Sequence, residues 1–140
     1  MGRLLALDYG TKRVGVAETD DLQIIASPLT TVHSTEVITF IADYITKHPV
    51  DSIVIGDPKK LNNEPTDTTK LINEFVVHLS RKFPDVKLFR VDERFTSKMA
   101  AQSLIMAGAS KKKRKEKSLI DAVSAAIILQ SFMDSNQYLK

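Results

Sequence analysis

The chain has 140 residues, of which 43% are hydrophobic and 26% charged. That balance is ordinary for a globular protein with a real core, and one domain over residues 1–140 is expected. Cysteine is absent, which excludes disulfides and thiolate metal sites and fits a reducing cytoplasm. No apolar run is long enough for a signal peptide or a membrane span, so no membrane partner is expected. The net charge of +3 says little. Its distribution says more, because Lys111-Lys112-Lys113-Arg114-Lys115-Glu116-Lys117 is cationic at every position but one.

In chain order, Arg3 to Ala17 comes first. Leu4 to Leu7 is apolar on both faces, as in a central strand covered on both sides, and the strand ends at Asp8. Tyr9-Gly10-Thr11-Lys12-Arg13 makes a turn, and Val14 to Ala17 returns antiparallel. After an acidic turn over Glu18 to Leu22, Gln23 to Val32 predicts a third strand, with Pro28 marking an edge or a bulge. Ser34 to His48 changes period: Val37, Ile38, Ile41, Ala42 and Ile45 share a helical face, and Ser34 suits the N-cap. Asp51 to Gly56 is a short buried strand reached by a parallel crossover.

Asp57 to Pro65 is a loop, and Thr66 or Asp67 caps a second helix with Leu71, Ile72, Phe75, Val76, Leu79 and Phe83 on one face. Val86 to Val91 predicts a fifth strand, followed by Asp92-Glu93-Arg94. A helix over Thr96 to Ala107 with Gly108 as its C-cap, the basic run, and a helix over Ser118 to Met133 complete the chain. The sum is an α/β fold: a mixed sheet of five strands with helices packed on both faces.

The carboxylates carry the chemistry. If the first, fourth and fifth strands run parallel, Asp8 and the Asp92-Glu93 pair emerge at one sheet edge, where open α/β sheets place ligands. Asp121, at the start of the last helix, joins them if that helix begins at the same edge. Converging carboxylates suit a hard cation such as Mg²⁺ or Mn²⁺, and two such ions can clamp a phosphodiester. Spacing leaves plainer readings open. Asp8 can serve as a turn residue, Asp92-Glu93-Arg94 as a salt-bridged strand end, and Ser118-x-x-Asp121 as a capping box.

Leu7-Asp8-Tyr9-Gly10-Thr11-Lys12-Arg13-Val14-Gly15-Val16-Ala17, Val91-Asp92-Glu93-Arg94 and Ile120-Asp121-Ala122-Val123-Ser124-Ala125-Ala126 together resemble the three signature segments of the YqgF (RuvX) family, in order and over essentially the whole chain. The resemblance implies a ribonuclease H-like fold related to the RuvC junction resolvases and a divalent-metal nuclease site. Carried over by residue, the acidic set is Asp8, Glu93 and Asp121, with Asp92 as the substitute for Glu93. Family members are described as Holliday junction resolvases and are linked to maturation of the 5′ end of 16S ribosomal RNA. The chain departs from the family pattern at Gly56-Asp57-Pro58-Lys59, where Asp57 replaces an apolar residue and is expected to decorate the loop.

On this reading Lys12 and Arg13 hold substrate phosphates, and Arg94, Lys111, Lys112, Lys113, Arg114, Lys115 and Lys117 bind the nucleic-acid backbone. Asp8-x-Gly10-Thr11 also resembles the first phosphate motif of the actin and sugar-kinase fold, but those proteins close two domains around ATP. A non-cutting RNA-binding module is the other rival, and the complete acidic set argues against it. Precursor ribosomal RNA is the expected substrate, ahead of branched DNA. A monomer is expected, because aromatics are only 6% and no spare apolar stripe is evident for a strong dimer.

Overall fold

The computed structural model describes residues 2–10, 12–57, 67–92 and 117–134; for 57, 67–69, 92 and 117–119 it describes the backbone alone. Its elements are β1 (Arg3–Tyr9), β2 (Arg13–Thr19), β3 (Ala26–His33), α1 (Val37–Lys47), β4 (Val50–Asp57), α2 (Asp67–Lys82), β5 (Lys87–Asp92) and α3 (Lys117–Asp134). The expected helix over 96–107 lies outside the described residues, as do Glu93, Arg94 and Lys111 to Lys115.

The five strands form one sheet in the order β3-β2-β1-β4-β5. The first three make the expected antiparallel meander, and β1, β4 and β5 run parallel. The central place of β1 follows from its two-sided apolarity. Leu5 and Leu7 join Val14, Val16, Ile53 and Ile55 in a core under α1 and α2. Leu4 and Ala6 face the other way, with Ala17 and Val54, and are covered by Ala125, Ile128, Leu129, Phe132 and Met133 of α3. Pro28 sits on the edge strand, and the β2–β3 register shifts between Val16 and Ala17 so that Leu29 has no opposite number.

Several local expectations are corrected. Ser34 does not cap α1; that helix starts three residues later, Glu36 holds the cap position without a side-chain bond, and the Ser34 N–H donates instead to the Lys12 carbonyl at 3.0 Å. Leu71, expected in the core face of α2, is exposed. Leu22, Ile24 and Ile25 are 69%, 63% and 63% exposed, and Leu29 is exposed beside them. Four aliphatic side chains are thus exposed in β3 and the loop before it. That loop is firmly built: Asp20 Oδ1 accepts the N–H groups of Ile24 at 2.8 Å and Ile25 at 3.0 Å, and the N–H of Gln23, at φ 57°, donates to the Asp20 carbonyl. The Ile25 and Ile24 N–H groups hold the Asp20 carboxyl below the usual carboxylate range.

A polar network pins the end of the sheet opposite Asp8. The Tyr44 hydroxyl donates to Glu18 at 2.6 Å, and the Arg3 guanidinium bonds Glu18 at 3.1 Å and Asp21 at 2.8 Å. Burial first, and the bond to Glu18 second, push the Tyr44 phenol up to about 12. A phenol whose folded pKa is raised contributes stability that is intact below about pH 10 and is lost as pH rises toward 12. Ultraviolet titration is expected to show a tyrosine step near pH 12 that Tyr44→Phe removes; absence of that step from the unsubstituted chain would contradict the network.

Candidate active site at the carboxyl edge of the sheet

The site is assembled by one close contact. Asp8 lies opposite Gly15 in the β1–β2 register. By strand alternation Asp8 shares its face with Leu4 and Ala6, which is the face that α3 covers. Over that face, the backbone of Asp121 rests directly on Gly15: a Cβ built on Gly15 would collide with the Asp121 carbonyl and with the Ala122 nitrogen. Glycine is required here for closeness of approach. Small residues continue the contact, since Ala17 and Ala125 share the core on this face. The contact brings the start of α3 over the strand pair that carries Asp8.

Asp121 is the fifth residue of α3, which begins at Lys117. It therefore lies past the first turn, and the capping-box reading fails because Ser118 is already inside the helix. The Asp121 carboxylate instead accepts the Arg13 Nε–H at 2.8 Å, a pair 44% and 23% exposed that links positions 108 residues apart. Arg13 reaches it because Arg13, Gly15 and Ala17 alternate onto the α3 face. The turn before Arg13 is tight. The Gly10 N–H donates to the Arg13 carbonyl at 2.9 Å, and a side chain at Gly10 would press on that same oxygen. The Ser34 N–H then ties Lys12 to the β3–α1 connection. Lys12 itself is exposed.

At the same edge β4 and β5 end side by side, with Asp57 opposite Asp92. Val91 packs in the α3-side core, and Glu93 follows two positions later in sequence. Of the expected site residues, the structure thus brings Asp8, Arg13 and Asp121 to one edge. Among the described residues no three carboxylate or imidazole side chains form a metal-sized cluster; Glu93, the expected third, is not one of them. Sequence reading assigned Arg13 to phosphate and missed its pairing with Asp121. The period-two alternation of Arg13, Gly15 and Ala17 was the available signal.

The architecture, a mixed five-stranded sheet whose central strand carries a carboxylate and whose last helix brings a second one to the same edge, is that of the ribonuclease H-like nucleases. The structure resembles that of T. thermophilus RuvC in complex with a Holliday junction substrate, with a TM-score of 0.58, 10% identity and coverage of 99% and 98% of the two chains. It likewise resembles fowlpox virus resolvase, with a TM-score of 0.59, 15% identity and 99% coverage of both chains. The chain belongs to the RuvX family, whose profile, described as Holliday junction resolvase, matches residues 2–135. It is 50% identical over 138 residues to a protein of Flavobacterium johnsoniae named "Putative pre-16S rRNA nuclease", covering 99% of this chain and all of that one. A protein of the same name from Parabacteroides distasonis is 47% identical over 138 residues, with 99% of each chain covered.

Gly15→Ala is expected to lower stability by at least about 1–3 kcal/mol, because backbone meets backbone and neither side yields easily. Urea unfolding at neutral pH reads this directly, and a midpoint equal to wild type would mean that α3 does not sit on Gly15.

Proposed function

We propose that this chain is a divalent-metal-dependent nuclease that trims the 5′ end of precursor 16S ribosomal RNA, with Asp8, Glu93 and Asp121 as its acidic set. The observation that carries the reading is the docking of Asp121 on Gly15, the register partner of Asp8, at the carboxyl edge of the parallel strands. The substrate is taken from the relatives' name, since the fold serves RNA and DNA alike.

The donor set suits Mg²⁺ or Mn²⁺. Carboxylate oxygens are what hard cations take, and Asp121 already accepts a cationic group from Arg13. When bound, such a cation supplies Lewis-acid activation of water and neutralises phosphate charge. Asp8, on the central strand and packed from both sides, is the most rigidly held ligand. Lys12 stands exposed in the adjoining turn, where it can meet a substrate phosphate. The basic run Lys111 to Lys117 precedes Asp121 in sequence and supplies sequence-independent attraction to the nucleic-acid backbone.

The family description favours a second substrate, the four-way DNA junction. Resolving a junction needs two sites held by a symmetric interface. Leu22, Ile24, Ile25 and Leu29 form the exposed aliphatic patch around β3. Four side chains make an apolar patch of roughly a few hundred Å², short of the about 800 Å² per partner of a standard interface. A monomer working on RNA is therefore preferred, in the cytoplasm where ribosomal RNA is processed.

Purified protein offered precursor 16S ribosomal RNA and a four-way junction, with Mg²⁺ or with chelator, tests the reading. Metal-dependent cleavage of the RNA is expected, and Asp8→Asn should reduce it by at least about a hundredfold while leaving the unfolding midpoint within about 1 kcal/mol of wild type. Cleavage of the junction alone would reverse the substrate preference, and wild-type turnover in Asp8→Asn would return Asp8 to a turn role.

A further inference from the structure

We propose that the Arg13 guanidinium is an exchangeable occupant of the Asp121 carboxylate: it holds that carboxylate in place before metal arrives, competes with the divalent cation for it, and is released toward substrate phosphate when the cation binds. The inference rests on the metal-dependent reading above and adds a role for a residue outside the acidic set.

Three features of the pair support exchange. It is made through a single Nε–H to a single oxygen, Oδ2, and is partly open to solvent on both sides. Exposed pairs of this kind are weak, so a doubly charged ion can displace the guanidinium. Second, the main chain on both sides of the pair is fixed, so that only the side chain need move. The Arg13 carbonyl is held by the Gly10 N–H, Arg13 starts β2, and Asp121 is pressed on Gly15. Third, Asp121 sits on the strand pair that carries Asp8, so a second carboxylate is brought to that edge, and the Arg13 guanidinium supplies positive charge beside it. Once displaced, the guanidinium stays tethered in the turn beside Asp8, with its paired N–H donors free for a phosphate.

Calorimetric titration of the full chain with Mn²⁺ alone separates the possibilities. Arg13→Gln is expected to bind Mn²⁺ about two- to fivefold more tightly than wild type, the range that loss of an exposed pair allows. Lys12→Gln removes the same charge from the same turn without touching Asp121, and is expected to tighten binding by less than half as much. Asp121→Asn should weaken it by at least about tenfold. In ¹⁵N spectra, the Arg13 Nε–H signal should be protected in chelator and lose protection on adding Mg²⁺. Unchanged or weaker Mn²⁺ binding in Arg13→Gln, or equal tightening in Lys12→Gln, would overturn the exchange. If Asp121→Asn weakens binding while Arg13→Gln does not tighten it, the exchange alone fails. If Asp121→Asn binds Mn²⁺ as wild type does, Asp121 is no metal ligand and the nuclease assignment fails at that residue too.

Discussion

The contact between the Asp121 backbone and Gly15 is the constraint on which the rest of the site depends. A helix normally packs on a sheet through side chains that keep the two backbones apart. Here one position on β2 has no side chain, and α3 comes down onto it. Because Gly15 is the register partner of Asp8, whatever the helix carries at that point is delivered to the strand pair bearing Asp8. What it carries is a carboxylate. The small residues Ala122, Ser124 and Ala125 keep the first half of α3 close to the sheet. Ile128, Leu129, Phe132 and Met133 fill the wider space farther along.

The two ends of the sheet do different work. At the end away from Asp8, charge is paired and locked: Arg3, Glu18, Tyr44 and Asp21 bond one another, and the Thr19 hydroxyl accepts the Leu4 N–H at 2.9 Å. These bonds join β1, β2 and α1 and fix the register that sets Asp8 against Gly15. At the other end the Arg13–Asp121 pair is half-open to water. A rigid frame with a half-open charge pair at the opposite edge suits the proposed site, which would admit a cation and a polyanion in turn.

Much of this was legible in the residues. The two-sided apolarity of Leu4 to Leu7 gave the central strand, and Pro28 gave the edge and its bulge. The strand–helix–strand order gave the parallel half of the sheet and hence a common edge for Asp8 and Asp92. Other features were hidden because they depend on what lies opposite. Gly15 looks like any turn-proximal glycine until α3 is placed over it. Ile24 and Ile25 are strong strand formers, yet they sit in a loop organised by Asp20, since local propensity does not reveal which backbone groups a carboxylate will claim. Ser34 suited a helix cap, but its N–H was drawn to the Lys12 carbonyl. Ser118 and Asp121 had capping-box spacing, which lost its meaning once the helix began one residue earlier.

The proposed nuclease needs Asp8 and Asp121 to serve one cation site, brought together by the Gly15 contact. Crystals grown with Mn²⁺ and measured at a wavelength where manganese scatters anomalously test it most directly. An anomalous peak is expected within coordination distance, about 2.0–2.4 Å, of oxygens from both Asp8 and Asp121. A peak held by Asp8 without Asp121, or one at a different edge of the sheet, would contradict it.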